Sequence, residues 1–422
     1  MSTMHLAALS ENRSLRFCMV FMHYLAQGVP LGLFIFAIPA WLSANGASAL
    51  EIGTFISLTT LPWSLKFVNG FLMDRYTYLA MGRRRAWLIG AQFCMISGLL
   101  ILAIINPVST DIILLSWFSF FINVATSYQD VAIDGLAVDL MPMEDRPRAN
   151  GFMFGGQSLG IAGGTAFSGF IIPEFGVRVA AISIAAFVGL VLILVVVFRE
   201  RPCEKIFPWS NGSASEENLS IQIEAWLPLL KIVAISMLKG QSLIFCCICI
   251  LLGVGTGIYY GMMPLIATTI SGWSSAEFSG ISGTGNVVSG ILGVFVLGLI
   301  IDRVGWKKAL VRGILAMIIL ITIMIVLRTS WTVAWIISGF VILFISLDTF
   351  LRIVSGTAAM FYCVKSVAAT QFTLYMALTN LGLVIGGTLI APLEALWGYT
   401  SLMIAIIISC VIGALLVKML NE

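Results

Sequence analysis

The 422-residue chain is strongly apolar: 59% of its residues are hydrophobic and only 10% are charged. Soluble domains carry roughly 25% charged residues, so a chain of this composition needs lipid as its solvent. The formal net charge of +3 is too small to indicate a nucleic-acid partner, and we expect none. We also expect no metal site and no cofactor, because there are only two histidines and the eight cysteines show no metal or redox spacing.

Twelve apolar segments are long enough to cross about 30 Å of hydrocarbon as helices. They lie near residues 17–42, 51–73, 86–105, 112–140, 149–171, 178–198, 241–269, 277–300, 309–327, 331–354, 367–391 and 399–418, and are called segments 1 to 12. The sequence therefore predicts an all-α membrane protein with twelve transmembrane helices.

Lysine and arginine residues concentrate on one side of these segments. If the N-terminus is placed inside, nineteen of the 23 basic residues lie on the inner side, and only Arg178 and Arg328 lie outside. The remaining two, Lys66 and Arg352, fall within membrane segments. Because positive charge marks the cytoplasmic side of a membrane protein, both termini are predicted to face the cytoplasm.

An internal repeat divides the chain. Residues 70–75 (Gly-Phe-Leu-Met-Asp-Arg) recur as residues 298–303 (Gly-Leu-Ile-Ile-Asp-Arg), and basic residues follow each copy. The repeat predicts two related six-helix halves in the same orientation, residues 1–198 and 241–422. A polar linker, residues 199–240, joins them on the cytoplasmic side. Residues 224–239 of this linker are predicted to form an amphipathic helix.

The two repeat copies lie at inner helix ends, which suggests a gate. There an acid can meet a helix N-terminus, and the basic residues can hold the two halves closed on the cytoplasmic side. The predicted gating residues are Asp74, Arg75, Arg83, Arg84, Arg85, Asp302 and Arg303.

Segment 4 carries an acidic stripe. Asn123, Ser127, Asp130 and Asp134 follow one another at steps of four, three and four residues, which places them on one face of a helix. Asp130 lies roughly 13 Å inside the inner boundary. An acid at that depth must be paired, protonated or in contact with water. A structural ion pair and a transport role both fit this pattern.

Lys66 on segment 2 is the natural partner for these acids, since it lies at a similar depth. His23 on segment 1 shares that depth, with Tyr24 and Gln27 close by on the same helix. A histidine here either carries protons or serves only as a hydrogen-bonding residue. The predicted proton-coupling residues are Asp130, Asp134, Lys66 and His23.

The C-terminal half carries its own buried charges. Asp348 and Arg352 on segment 10 are four residues apart and can pair along the helix. Arg352 could also bind an anionic substrate through its planar guanidinium. Tyr259 and Tyr260 on segment 7 suit a sugar or an aromatic ring, although helix packing explains them equally simply. The predicted substrate-binding residues are Tyr24, Gln27, Asn123, Ser127, Gln157, Tyr259, Tyr260, Asp348 and Arg352.

Several stretches together resemble one family. The second repeat copy, read as G-x-x-x-D-R-x-G-x-K-K, is similar to the loop signature of the major facilitator superfamily. Eight further stretches resemble the AmpG-like branch of permeases within that superfamily. They are Ala26-Gln-Gly-Val-Pro-Leu-Gly-Leu33, Pro39-Ala-Trp-Leu42, Ile52-Gly53, Leu61-Pro-Trp-Ser-Leu-Lys-Phe67, Met73-Asp-Arg-Tyr76, Gly82-Arg-Arg-Arg85 with Trp87, Gln129-Asp-Val-Ala-Ile-Asp134 and Ala369-Thr-Gln-Phe372.

The resemblance implies a fold and a function. It implies the major facilitator fold, with two pseudo-symmetric six-helix halves and a substrate path between them near the midplane. It also implies proton-driven import of cell-wall muropeptides across the bacterial inner membrane. Related permeases of the same branch import siderophores, and the compact length of this chain suits them equally well.

We therefore predict a proton-coupled secondary active transporter, acting as a monomer, that imports a medium-sized polar and acidic solute by alternating access. Its partners would be that solute, protons and the lipid bilayer. A siderophore importer is the alternative within the branch. A non-transporting membrane sensor or scaffold is the alternative from another class. An enzyme is not expected, because no catalytic nucleophile–base set is visible.

Overall fold

The computed structural model describes residues 8–47, 49–223, 225–273 and 275–421. Within these ranges all regular secondary structure is helical. The α-helices are α1 (Arg13–Leu31), α2 (Ile38–Ala44), α3 (Ala49–Ser64), α4 (Phe67–Arg75), α5 (Arg85–Ile105), α6 (Ile112–Leu140), α7 (Arg146–Val197), α8 (Glu216–Ile221), α9 (Trp226–Met237), α10 (Gly240–Leu265), α11 (Ser275–Leu292), α12 (Gly298–Val304), α13 (Trp306–Val326), α14 (Ala334–Tyr362), α15 (Ala368–Thr388), α16 (Ile390–Trp397) and α17 (Tyr399–Lys418).

Short turns of other helical types connect several of these elements. π-helical turns (Gly32–Ala37, Ile266–Ile270 and Gly293–Leu297) continue membrane helices without breaking them. Single 3₁₀ turns occupy Leu79–Met81, Met143–Asp145, Arg328–Ser330 and Lys365–Val367. Each of these 3₁₀ turns lies between two of the predicted membrane segments.

The twelve predicted membrane segments are confirmed. Ten helices in the described ranges are long and apolar enough to cross a bilayer. One of them, Met143–Val197, contains both segment 5 and segment 6, because α7 kinks at Gly176, whose φ of 79° is left-handed. Segment 2 consists of two shorter helices, α3 and α4, and supplies the remaining span.

The chain divides into two compact units. Unit 1 holds the described residues up to Pro142, together with Gly156–Val233 and Cys363–Thr373. Unit 2 holds Met143–Gly155 and the described residues of Ala234–Tyr362 and Leu374–Glu422. Two short segments, Cys363–Thr373 and Met143–Gly155, thus belong to a different unit from the helices that continue them.

A helix lies within the predicted linker. α9 occupies most of the stretch predicted as an amphipathic helix, whose first residue, Glu224, lies outside the described residues. Residues 1–7 at the start of the predicted N-terminal half lie outside them as well. In α9 the side chains of Leu229 and Val233 are buried, whereas Leu227 and Leu230 are exposed.

Small residues bring helix backbones into contact in both units. In unit 1, Gly28 of α1 meets the backbone of Gly160 in α7, leaving no room for a side chain at either position. In unit 2, Gly253 of α10 meets Gly382 of α15 in the same way. Lipid gives helices little hydrophobic drive to associate, so close packing of this kind is what holds membrane helices together.

This packing predicts opposite outcomes for two glycines on one helix. In Gly160→Ala the new Cβ would lie 2.9 Å from the Cα of Gly28, so α1 and α7 must separate. We expect a lower melting temperature, corresponding to a loss of about 1–3 kcal/mol. Gly163→Ala is the matched control, because a Cβ there meets nothing within 4 Å. Thermal unfolding of both variants in detergent checks this, and equal melting temperatures would contradict it.

Candidate functional site

The acidic stripe lies on the side of α6 that contacts α1, α3 and α4. Asp130 is buried and accepts hydrogen bonds from Lys66 Nζ at 2.8 Å and from Gln27 Nε2 at 2.7 Å. One helical turn later, the buried carboxylate of Asp134 accepts a hydrogen bond from the Tyr24 hydroxyl. The structure thus brings five of the predicted site residues together within unit 1.

Lys66 reaches this cluster from a break in segment 2. α3 ends at Ser64 and α4 begins at Phe67, so Lys66 lies in the short connection between them. Its Nζ also lies 5.8 Å from the centroid of the Trp63 ring, which is within range of a cation–π contact. The lysine is therefore held by an opposite charge and an aromatic face, and little of it is exposed.

Two further side chains complete the stripe. Trp63 Nε1 donates to Asn123 Oδ1 at 2.9 Å, and Asn69 Nδ2 donates to Ser127 Oγ at 3.0 Å. Sequence reasoning did not select either donor. Trp63, Lys66 and Asn69 are three residues apart, and this spacing is the signal that could have identified them as the partners of the α6 stripe.

His23 and Gln157 stand apart from the carboxylates. The buried His23 ring makes a 2.8 Å hydrogen bond to the Met19 carbonyl through Nδ1, and no hydrogen bond between described residues joins it to Asp130 or Asp134. Gln157 is only partly buried, and its backbone carbonyl packs against Gly28. The His23 ring is thus hydrogen-bonded to the backbone of its own helix, and its part in proton coupling stays a prediction.

Unit 2 contains a second polar cluster, on α14. Asp348 accepts hydrogen bonds from Arg352 Nε at 2.8 Å and from Thr256 Oγ1 at 2.6 Å. The Asp348 side chain is 13% exposed and that of Arg352 is 40% exposed. Nη1 and Nη2 of Arg352 have no hydrogen-bond partner within the described part of the chain. Two of the three guanidinium nitrogens are therefore available to another acceptor.

The two tyrosines of α10 differ. Tyr259 is buried and its ring stacks on Phe344, with 3.6 Å between centroids and 4° between planes. This contact favours the packing interpretation of Tyr259. Tyr260 is 49% exposed, so its ring remains accessible.

The predicted gate residue Asp74 is fully buried at the end of α4. Its Oδ2 accepts hydrogen bonds from the backbone N–H and the hydroxyl of Thr370, both at 2.8 Å. Thr370 is in the first turn of α15, so the carboxylate caps that helix and interacts favourably with its dipole. The prediction that this acid meets a helix N-terminus describes the geometry seen within unit 1.

Two arginines hold the other side of Asp74. Arg84 Nη2 donates to Asp74 Oδ1 at 2.6 Å, and Arg84 Nε donates to Asp139 at 3.1 Å. Arg83 donates to the carbonyls of Lys365 and Ser366, both at 2.6 Å, just before α15 begins. The network therefore ties the loop after α4 to the start of α15 by charge and by carbonyl hydrogen bonds.

Glu200, at the start of the linker, organises the same loop. Its carboxylate accepts the backbone N–H groups of Arg83, Arg84 and Arg85 at 2.9, 2.7 and 2.6 Å. Gly82 makes room for it, because a Cβ at that position would lie 2.5 Å from the Glu200 carboxyl carbon. Burial raises the pKa of Glu200, while the three amides act in the opposite direction. The sequence carries no local signal for this long-range cap.

Arg85 completes the loop's basic triplet in a different way. Its guanidinium donates to the carbonyls of Val195 and Val196 at the end of α7, at 2.7 and 2.5 Å. It also donates to the backbone carbonyl of Lys205 in the linker, at 2.8 Å. It therefore binds the last carbonyls of a helix rather than a carboxylate.

The second repeat copy forms a simpler contact within unit 2. Asp302 pairs with Arg148 at 2.8 Å, and these side chains are 24% and 33% exposed. Arg303 is exposed. Within the described residues, Asp302 thus has one partly solvated partner, whereas Asp74 has two buried arginines and caps a helix.

Arg75 does not join the Asp74 network. Its guanidinium carbon lies 5.0 Å from the centroid of the Tyr76 ring, and no ion pair between described residues involves it. Of the predicted gating residues, Arg75, Arg85 and Arg303 are therefore the three whose side chains form no ion pair with a carboxylate in the described structure.

With this geometry established, comparison with known proteins is decisive for the family. The sequence model of the Major Facilitator Superfamily matches residues 16–387. The chain belongs to the major facilitator superfamily. The predicted fold class, an all-α membrane protein with the fold of this superfamily, is thereby confirmed.

Relatives from this superfamily also support the resemblance to AmpG-like permeases. The chain is 30% identical over 143 residues to the "Anhydromuropeptide permease" of Escherichia coli K12, covering 33% of this chain and 29% of that protein. It is 23% identical over 388 residues to "Putative transporter AmpG 4" of Rickettsia conorii, covering 86% of each. The match to the E. coli permease thus spans less than a third of its length.

Solved structures of the superfamily share the fold. The outward-facing structure of the transporter FucP matches with a TM-score of 0.70 at 14% identity, covering 96% of this chain and 98% of that one. The human organic anion transporter MFSD10 matches with a TM-score of 0.70 at 12% identity, covering 96% and 99%. The relatives and neighbours are transporters, and at these identities the structural matches concern the fold alone.

The contrast between the two repeat copies in this superfamily member is testable. Asp74→Ala leaves Arg83 and Arg84 with one buried carboxylate fewer and removes the cap of α15, a change that costs about 3–5 kcal/mol for a buried pair. We expect faster hydrogen exchange in residues 365–373, measured by mass spectrometry on purified protein. Thr370→Val, which removes only one hydrogen bond, should give a smaller increase in the same peptide.

The matched control is Asp302→Ala at the equivalent repeat position. Its partly solvated ion pair is worth about 1 kcal/mol or less, so residues 365–373 should exchange as in the wild type. Equal exchange rates in the Asp74 and Asp302 variants would show that the Asp74 network does not hold the start of α15.

Proposed function

We propose that this protein is a proton-coupled secondary active transporter that imports a medium-sized polar, acidic solute across the bacterial inner membrane by alternating access. The observation that carries the proposal is the buried cluster of Lys66, Asp130 and Gln27 beside Tyr24 and Asp134. Relatives named as an anhydromuropeptide permease and as AmpG transporters support a muropeptide-like solute.

The cluster has the parts that a proton site needs. Asp130 and Asp134 are one helical turn apart in buried surroundings, where two ionised carboxylates repel one another strongly. Lys66 compensates one negative charge, and Tyr24 donates a hydrogen bond to the other carboxylate. A proton arriving on Asp130 would neutralise the partner of Lys66 and free the ammonium group. We propose that this exchange couples proton binding to a change in helix packing.

The substrate is proposed to meet Arg352. Asp348 engages only Nε, so Nη1 and Nη2 can form a second, charge-assisted pair with a carboxylate or phosphate. The exposed ring of Tyr260 is proposed to contact the apolar or sugar part of the same solute. The hydrogen-bonded side chains of Asn123 and Ser127 are proposed to respond to the solute through Trp63 and Asn69.

The domain organisation, orientation and gate are proposed as the sequence predicts them. We propose that residues 1–198 and 241–422 act as two halves joined by the linker 199–240, with both termini in the cytoplasm and the protein acting as a monomer. The networks of Asp74 and Asp302 are proposed to serve as the cytoplasmic gate. In that role the Asp74 network would contribute most of the closing energy, because its charges are buried.

Proton coupling predicts a specific loss. In proteoliposomes, Asp130→Asn and Asp134→Asn should each abolish accumulation of labelled anhydromuropeptide driven by an imposed pH gradient. Exchange of internal for external substrate should continue, because the neutral amide mimics the protonated acid. Asp111→Asn, a carboxylate in the exposed connection before α6, is the control and should transport like the wild type. Uphill accumulation by both stripe variants would make these carboxylates structural.

Substrate recognition predicts a graded loss. Arg352→Lys keeps the charge but loses the planar guanidinium, so binding of labelled anhydromuropeptide should weaken about tenfold. Arg352→Ala should weaken this binding further. Binding is measured on detergent-purified protein, and melting temperatures should stay near the wild-type value. Arg328→Ala in the connection before α14 is the control. Wild-type affinity in both Arg352 variants would exclude Arg352 from the binding site.

A panel of labelled solutes separates the candidate functions. Saturable, gradient-dependent uptake of anhydromuropeptide supports the proposal, whereas uptake of a carboxylate siderophore alone would make the chain a siderophore importer. Binding without any uptake in sealed proteoliposomes would instead indicate a sensor. The same preparation with an uncoupler present reports whether any uptake depends on protons.

A further inference from the structure

Arg75 is an unusual cation for its position. Its Nε is buried and has no hydrogen-bond partner within the described residues, and no carboxylate there forms an ion pair with it. Among the described residues, the Tyr76 ring lies near this charge, 5.0 Å from the guanidinium carbon. A buried donor without an acceptor is unfavourable, and an anionic ligand would supply the missing acceptor.

Arg75 lines a groove of about 720 Å³. Its walls include Tyr76, Tyr78 and Trp87, and Gln222 of the linker closes one side by hydrogen bonds to Thr77 and to the backbone of Arg75. A volume of this size falls within the range of small-molecule and headgroup sites. The groove therefore combines one cation with three aromatic side chains that carry polar atoms.

The groove opens toward a surface that lipid would cover. Gly90 of α5 forms part of its lining and is exposed, and a Cβ there would meet nothing within 4 Å. Phe93, Ile101 and Ile104 continue the same face of α5 and are exposed large apolar residues. An acyl chain can follow this face while its headgroup lies against Arg75.

Aromatic residues place the groove at a bilayer boundary. Tyr76 and Tyr78 are half exposed, and Tyr76 packs edge-on against Trp226 of α9, with 5.8 Å between centroids. Tyrosine and tryptophan prefer this depth because one end is apolar and the other is hydrated. The exposed Leu227 and Leu230 of α9 extend the apolar surface beside it.

We propose that this groove binds the headgroup of an anionic phospholipid from the leaflet on the basic side of the protein. The Arg75 guanidinium donates hydrogen bonds to the phosphodiester oxygens, and the hydroxyls of Tyr76 and Tyr78 form hydrogen bonds with the rest of the headgroup. Basic pockets near the membrane surface bind anionic lipids in this way. Binding here would also stabilise Gln222 against the loop after α4, because the same side chains form the groove wall.

The test is native mass spectrometry of full-length protein in neutral detergent, titrated with dioleoylphosphatidylglycerol or dioleoylphosphatidylcholine. The wild type should bind one phosphatidylglycerol about tenfold more tightly than phosphatidylcholine, because the choline of phosphatidylcholine places a positive charge near Arg75 and the neutral glycerol of phosphatidylglycerol does not. Arg75→Gln should abolish that preference. Arg303→Gln removes the same charge at the equivalent repeat position and should retain it.

A second variant keeps the test valid if Arg75→Gln fails to fold. Gly90→Phe retains Arg75 and adds a large side chain to the groove lining, at a position where a Cβ meets nothing within 4 Å, so it should also lose the preference for phosphatidylglycerol. Equal losses in Arg75→Gln and Arg303→Gln would reveal diffuse charge attraction and overturn the proposal. So would an unchanged preference in Gly90→Phe, or displacement of the lipid by glycerol phosphate at the same affinity, which would indicate a soluble-anion site.

Discussion

A charge within hydrocarbon needs a partner, and the ion pair between Lys66 and Asp130 satisfies that requirement at the centre of unit 1. The pair constrains three helices, because α6 supplies the acid, the connection between α3 and α4 supplies the base, and α1 supplies Gln27. α1 must in turn pack against α7 through Gly28 and Gly160. Close backbone packing and charge pairing are therefore parts of one arrangement.

The two copies of the internal repeat show that similar sequences can acquire different energetics. Asp74 is buried with two arginines and the start of α15, whereas Asp302 shares solvent with Arg148. The difference arises from residues outside the repeat, such as Glu200, which organises the backbone of the Arg83–Arg85 loop. Position in the repeat therefore does not by itself determine how strongly an aspartate is paired.

Much of the architecture was predictable because it depends on local patterns. Segment length and hydropathy predict the spans, and the four- and three-residue steps from Asn123 to Asp134 predict the acidic face. The partners of that face were only partly predictable. Lys66 could be paired by depth, and the three-residue spacing of Trp63 and Asn69 from it was a usable signal. Glu200 had no such signal, since its contacts with the Arg83–Arg85 loop join residues 115 to 117 positions apart. Nor does the spacing reveal that Asp74 caps a helix starting almost 300 residues later.

The cost of the Lys66–Asp130 pair bears on why a membrane protein would keep it. Replacing a buried ion pair with apolar side chains of similar volume is often neutral or stabilising, so stability alone does not explain these residues. Removing one partner, by contrast, leaves an uncompensated charge and is strongly unfavourable. The stability of such a pair therefore changes when a single proton binds. The proton that neutralises Asp130 leaves Lys66 as the unpaired charge. That asymmetry gives a physical route from protonation to a new helix arrangement, and it depends on the pair being buried.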